Sequence, residues 1–291
     1  MPNKILTRVL LFGKDGMVGS SIFSKLRINP NIKLVATSRN KDAEYFFDIK
    51  KSSLTGFINL HKPDYIINCI GAIKPNYTQI NDAFQANTIF SLKLARLVFN
   101  TEMFLIQFST DGVFYGRKGN YFENEFRFPR SLYSFTKILG ERSNPNSLII
   151  RTSIIGQENN YVPKSILSWL EFLPKYSIIP GYTNYSWNGV TNKNIADLCQ
   201  GIISNSYTNG TIQNFIPSDY TSKYQLLLFL RDLLGRHDVK IFPEKLKSSI
   251  DRRLKTNSIG NNKLFWNFSG YSEVPTIRDT LYDLFNKQID Y

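Results

Sequence analysis

Three glycines at one spacing constrain this chain more than any other feature. Gly13, Gly16 and Gly19 follow the apolar run Leu6–Phe12 and overlap the start of a helical pattern, Met17–Leu26. A strand that turns at once into a helix must bend tightly and let the two elements pack closely. Both demands favour residues without Cβ. The new helix then offers unbonded N–H groups and the positive end of its dipole. Such a turn suits a phosphate. After the first strand of an alternating array, it suits the pyrophosphate of a dinucleotide.

The array is present. Leu6–Phe12, Lys33–Thr37, Tyr65–Ile70, Phe104–Phe108 and Leu148–Arg151 read as buried strands. Between them, Met17–Leu26, Leu54–Leu60, Ile80–Phe99 and Leu132–Arg142 carry helical spacing. This alternation predicts an α/β fold, a Rossmann-like doubly wound parallel sheet with right-handed crossovers. After Arg151 the rhythm loosens. Ile166–Phe172, Ile195–Ile203, Tyr224–Leu234 and Thr276–Lys287 read as helices, Thr211–Ile216 as a strand, and 243–275 as polar and irregular. We expect a dinucleotide-binding Rossmann domain over 1–155 and a smaller substrate-binding lobe over 156–291, intertwined with it.

Composition narrows the class. At 291 residues and 42% hydrophobic, the chain can bury a full core. No apolar run approaches the ~20 residues of a membrane span, and Val9–Phe12 is too short for the core of a signal peptide. Cys69 and Cys199 make neither a disulfide framework nor a metal cage. A cytoplasmic protein with no membrane partner and no metal site is expected. The net charge of +13 would suit a polyanion. The basic residues are scattered, however, and no recognition motif accompanies them, so no nucleic-acid partner is expected.

The end of the second strand selects the dinucleotide. NAD-binding folds place an acid there for the ribose hydroxyls. This chain reads Thr37-Ser38-Arg39-Asn40, with an arginine suited to a 2′-phosphate and no acid. NADPH is expected; the competing reading is a solvated surface arginine.

Tyr133 and Lys137 are four apart, hence on one face of a helix. With 16 tyrosines in a lysine-rich chain, chance supplies such a pair about once, so spacing alone proves nothing. The context is what matters: Ser109-Thr110-Asp111 ends a predicted strand, where open α/β sheets bind ligands. A ketone that accepts hydride needs a proton. A nearby ammonium should bring the phenol down from its usual pKa of about 10, and Thr110 can hold the same oxygen.

Taken together, Gly13-Lys14-Asp15-Gly16-Met17-Val18-Gly19, Asn68-Cys69-Ile70-Gly71-Ala72, Asn87, Ser109–Phe114, Tyr133–Lys137, Gly140-Glu141 and Ile150–Ser153 run in one order. The chain resembles the extended short-chain dehydrogenase/reductases, and within them the dTDP-4-dehydrorhamnose reductase type. Gly181–Asn184 and Trp187–Thr191 resemble the substrate lobe of UDP-4-keto-6-deoxyglucose 3,5-epimerase/4-reductases, the UDP-rhamnose synthases.

The resemblance implies that Gly13, Asp15, Gly16, Met17 and Val18 cradle the pyrophosphate. It implies that Arg39 holds the 2′-phosphate, Asp48 and Ile49 flank the adenine, and Gly71 and Ala72 border the ribose–phosphate path. Thr110, Tyr133 and Lys137 are the implied catalytic group, with Lys137 also on the nicotinamide ribose. Lys175, Asn184 and Trp187 are the implied substrate contacts, although an exposed loop lysine and a core tryptophan are competing readings. The implied activity is NADPH-dependent reduction of the 4-keto group of a UDP- or dTDP-linked 4-keto-6-deoxyhexose. The product is rhamnose or a related deoxysugar in nucleotide-linked form. The alternative is a non-catalytic subunit of the same fold, like the regulatory subunit of methionine adenosyltransferase.

One departure stands out. The epimerase/reductases that the chain resembles often carry an acid/base cysteine where this chain has Gly112. That glycine would leave room for a water, and it leaves 3,5-epimerisation open. Finally, Ile80–Phe99 and Leu132–Arg142 carry apolar residues on more than one face, among them Phe84, Ile89, Leu94, Leu97 and Val98. A helix covering one side of a sheet needs one apolar stripe, so a homodimer is expected.

Overall fold

The computed structural model describes residues 6–73, 80–157 and 165–286. Its main sheet is formed by β1 (Thr7–Phe12), β2 (Ile32–Ala36), β3 (Tyr65–Asn68), β4 (Phe104–Ser109), β5 (Ser147–Arg151) and β10 (Ile212–Asn214). The spatial order is β2-β1-β3-β4-β5-β10, and every pair is parallel. From β1 the chain moves outward to β2, then returns to place β3 on the other side of β1. The ends of β1 and β3 therefore flank the crevice where such sheets bind ligands.

Alternation along the strands sends residues to two cores. Val9 and Leu11 join Ile22 and Leu26 of α1 (Met17–Leu26) on one face. Leu10 and Phe12 join Ile58 of α2 (Leu54–His61) and Phe90 and Leu94 of α4 (Phe90–Val98) on the other. The predicted helix Ile80–Phe99 is thus α3 (Ile80–Ala83), a π-helical turn over Phe84–Ile89, and α4. The helix predicted at Leu132–Arg142 is α5 (Leu132–Gly140).

The second half divides differently from its order in sequence. α7 (Asn192–Ser204) and α9 (Ile259–Phe268) pack into the core of the main sheet, with Ile195, Leu198, Phe265 and Trp266 all 0% exposed. The segment 243–275, expected to be irregular, therefore contains a core helix. Its two buried aromatics sit in an asparagine-rich frame whose polar residues mask them in the sequence. A second core joins β6 (Ile154–Ile155, paired with β9, Val190–Thr191), α6 (Ile166–Glu171), β7 (Ile178–Tyr182), α8 (Lys223–Leu233), β12 (Lys240–Glu244) and α10 (Ile277–Leu284). Among the described residues, no helix is long and apolar enough to cross a membrane.

Candidate active site

The glycine turn has the geometry its spacing predicts. Gly13 adopts φ +82°, and an added Cβ would meet Ile70 at 3.1 Å, so a side chain there is strained on both counts. A Cβ on Gly19 would strike the Gly13 carbonyl oxygen, so helix and turn touch backbone to backbone. Gly16 caps α1 without a side-chain acceptor, which leaves the first-turn N–H groups of Met17 and Val18 for a ligand. A bare cradle with free donors at the sheet's switch point fits a dinucleotide pyrophosphate.

Arg39 stands exposed just beyond β2, with no ion pair among the described residues. The second strand itself ends without an acid, but one comes close in space. Asp15 reaches across from the glycine turn and accepts from Ser38 Oγ at 2.5 Å. Its other oxygen pairs with Lys14 Nζ at 3.0 Å. The acid comes from the first turn, which no inspection of the second strand reveals. Asp48 is half-buried and its carboxylate accepts from the Lys50 N–H at 2.8 Å, while Ile49 packs on the core beside it.

Gly71 and Ala72 are held by Asn87. Its Oδ1 accepts from the Ala72 N–H at 2.9 Å, and its Nδ2 donates to the Ala72 carbonyl at 3.1 Å and to Thr136 Oγ1 at 2.9 Å. Asn87 lies in the π-helical turn, so this one amide ties the cofactor-side loop to the helix that carries Tyr133 and Lys137.

On that helix, Lys137 Nζ donates to the Phe108 carbonyl at 2.6 Å, at the end of β4. Burial brings the ammonium down to about 8. Thr110 follows β4 and caps the short turn Asp111–Val113, accepting from the Gly112 N–H at 3.1 Å. Its hydroxyl donates to Asp111 Oδ1 at 3.0 Å. The expectation of a lowered tyrosine is corrected. Burial, then the Asp111 carboxylate, push Tyr133 up to about 12, and only the neighbouring Thr110 hydroxyl pulls the other way. The Lys137 ammonium is turned to the Phe108 carbonyl. Tyr133 is therefore a firm proton holder, with its hydroxyl intact at neutral pH.

Beneath this group lies a buried network. Glu141, following α5, accepts from Ser109 Oγ at 2.5 Å, from Arg151 Nε and Nη2 at 2.8 Å each, and from Arg127 Nη1 at 2.6 Å. It fixes the end of α5 to the ends of β4 and β5.

Gly112 does not open space for a water. An added Cβ would lie 2.6 Å from Ser134 Oγ, so the hydroxyl of α5 already fills that place. Lys175 does not reach the site. It is exposed in the turn before β7, beside Arg236 and Asp238. Arg236 lies beyond the C-terminal end of α8, whose first residue, Lys223, lies over Trp187, so the eleven-residue helix, about 16 Å long, separates that turn from Trp187. The Asn184 amide is engaged twice with the Leu246 backbone, at 2.9 Å each, and serves as a clamp between segments. Trp187 is 5% exposed, and its indole N–H donates to Ser153 Oγ at 2.8 Å. It lies in β8 (Tyr185–Trp187), under a residue that sequence reasoning missed. Lys223 Nζ sits 5.5 Å from the centroid of the Trp187 ring. Nothing in the sequence marks Lys223 among the other lysines.

Comparison with known proteins bears on the family and the fold. Residues 7–172 match the family described as the RmlD substrate binding domain. Methionine adenosyltransferase 2 subunit beta from Danio rerio is 27% identical over 172 residues, 56% of this chain and 52% of that protein. The chain spans about half the length of the curated relatives it matches. A dTDP-4-dehydrorhamnose reductase from Clostridium acetobutylicum superposes with a TM-score of 0.77 at 21% identity, covering 96% of this chain and 99% of that one. The corresponding enzyme from Bacillus anthracis, in complex with NADP, gives 0.76 at 16% identity, with 97% and 99% covered. MoeE5 in complex with UDP-glucuronic acid and NAD gives 0.73 at 16%, with 96% and 98% covered. At these identities the superpositions establish the fold.

Proposed function

This chain belongs to the RmlD substrate binding domain family, and from that premise we propose that it is an NADPH-dependent reductase of the 4-keto group of a UDP- or dTDP-linked 4-keto-6-deoxyhexose. The observation that carries the reading is the convergence of Thr110, Tyr133 and Lys137 at the ends of β4 and α5, beside the glycine cradle. A bound nicotinamide would supply hydride to the keto carbon. The Tyr133 hydroxyl then gives its proton to the developing alkoxide, and Thr110 steadies the same oxygen. The Lys137 ammonium stabilises the phenolate left behind and orients the nicotinamide ribose. Gly13, Gly16 and the start of α1 hold the pyrophosphate. Arg39 takes the 2′-phosphate, while Lys14 offsets the charge of Asp15 beside it.

Epimerisation at carbons 3 and 5 has little support in this reading. Gly112 supplies no acid or base, Ser134 fills its space, and Lys175 lies elsewhere. The deciding experiment is incubation with NADPH and a panel of 4-keto-6-deoxy sugar nucleotides, following cofactor absorbance. Loss of absorbance with an already L-configured substrate is expected. NADPH binding without turnover of any member would favour the second reading, a regulatory subunit, which the methionine adenosyltransferase relatives motivate.

We place the chain in the cytoplasm as a homodimer. Ile89 (36% exposed), Phe135 (44%) and Leu139 (41%) form an outer apolar face of the π-helical turn and α5. Leu94 and Val98 are not part of it, because both are 0% exposed against the sheet. Light scattering near 33.6 kDa at micromolar concentration would reject the dimer.

A further inference from the structure

The substrate lobe places two cations on one side of a small sheet. β8 lies between β11 (Thr221–Ser222) and β13 (Ile250–Asp251). β11 is antiparallel with Ser222 opposite Ser186, so the next residue, Lys223, comes level with Tyr185. β13 is parallel with Asp251 level with Ser186, so Arg252 comes level with Trp187. Residues two apart on a strand share a face. Lys223, Tyr185, Trp187 and Arg252 therefore line one surface, and Lys223 Nζ stands 5.4 Å and 5.5 Å from the two ring centroids.

Neither cation is satisfied. The Arg252 Nε is buried without a hydrogen-bond partner. Among the described residues, neither Lys223 nor Arg252 has an ion pair. Arg252 faces Lys223 as a like charge, and Asp111 faces it as the opposite one. Lys223 is also the first residue of α8, where the helix dipole opposes a cation. Two cations against one carboxylate leave a surplus positive charge in a half-buried place, a costly arrangement unless an anion completes it. Asp111 fixes where this surplus lies. Its carboxylate is 3.0 Å from the Thr110 hydroxyl, and the same carboxylate acts on Tyr133 and Tyr185.

We propose that Lys223 and Arg252 form an anion subsite, and that its ligand is an anionic oxygen group of the nucleotide sugar: the diphosphate or, where the sugar is a uronic acid and not a 6-deoxyhexose, its carboxylate. The subsite rests on the nucleotide-sugar reading above and adds to it the group that the substrate lobe recognises. Burial and Arg252, opposed by Asp111, bring Lys223 down to about 8. An arriving anion favours the ammonium, so binding near that pH takes up a proton.

The test is calorimetric binding of UDP, dTDP, UDP-glucose and UDP-glucuronic acid to the full chain saturated with NADP+. Lys223→Met and Arg252→Met should each weaken binding about ten- to a hundredfold, the range of one charge-assisted contact. Lys223→Arg should stay within a few-fold of wild type, and NADP+ affinity should hold in all three, which controls for folding. If UDP itself is weakened, the subsite takes the diphosphate. If only the advantage of UDP-glucuronic acid over UDP-glucose is lost, it takes a carboxylate, and the sugar is a uronic acid in place of the 6-deoxyhexose. Variants that bind all four ligands as wild type does would overturn the subsite alone. A wild type that binds none of them would overturn the subsite together with the reading it rests on.

Discussion

Gly112→Ala tests the packing of the candidate site without assuming any substrate. The new Cβ would stand 2.6 Å from Ser134 Oγ and 3.3 Å from Thr110 Oγ1. The Ser134 hydroxyl must then turn away, and that hydroxyl is bonded to Ser131 Oγ at 3.0 Å. Overpacking costs about 1–3 kcal/mol and the lost hydrogen bond about 1, against about 0.5–1 gained from restricting a glycine in the unfolded chain. The net expectation is a destabilisation of about 2 kcal/mol. Ser134→Ala alone should cost about 1 kcal/mol, because one hydroxyl is lost. In the double variant the clash is gone and the hydrogen bond is lost only once, so a cycle should return a favourable coupling of about 3 kcal/mol. Urea unfolding followed by fluorescence measures all four proteins. A Gly112→Ala chain as stable as wild type, or a strictly additive cycle, would show that Ser134 does not fill the place and would refute the reasoning. The same geometry predicts that Gly112→Cys brings no proton exchange at carbons 3 and 5 until Ser134 is also reduced to alanine.

Tyr133→Phe should lower turnover by two to four orders of magnitude with NADPH affinity nearly unchanged, measured by steady-state kinetics and cofactor titration. The ammonium of Lys137 is present below about pH 8 and lost above it, so kcat should fall as pH rises through that value, and Lys137→Arg should move the fall upward. Arg39→Ala should cost NADPH about ten- to a hundredfold in KM and NADH far less, while Asp15→Asn should shift preference the other way by removing repulsion of the 2′-phosphate. A wild type that prefers NADH would reject the role of Arg39. Glu141→Gln leaves the Arg151 guanidinium, 1% exposed, without its carboxylate, so stability should drop by about 3–5 kcal/mol in urea unfolding.

Much of the fold was legible because its causes are local. The bounds of α1 follow from Gly16 before it and the apolar spacing within it, and the structure keeps them at Met17–Leu26. The strands of the main sheet are short apolar runs, and Tyr133 and Lys137 share a face by helical geometry alone. α9 was not legible. Phe265 and Trp266 become a core face only against α7 and Phe215, and no periodicity announces that from within an asparagine-rich segment.

Residue identity and short-range spacing thus determined the glycine cradle, the alternating layers and the tyrosine–lysine pair, since each depends on neighbours within a turn or two. Tertiary structure alone decided three other things. It brought Asp15 to Ser38, 23 positions away, and so placed an acid where the second strand shows none. It set the Ser134 hydroxyl in the space beside Gly112. And it put Lys223 and Arg252 on either side of β8, while leaving Lys175 beyond the far end of α8. The physical reason is the same in each case: charge and volume act through space over a few ångströms, and the chain crosses those few ångströms only after it has folded.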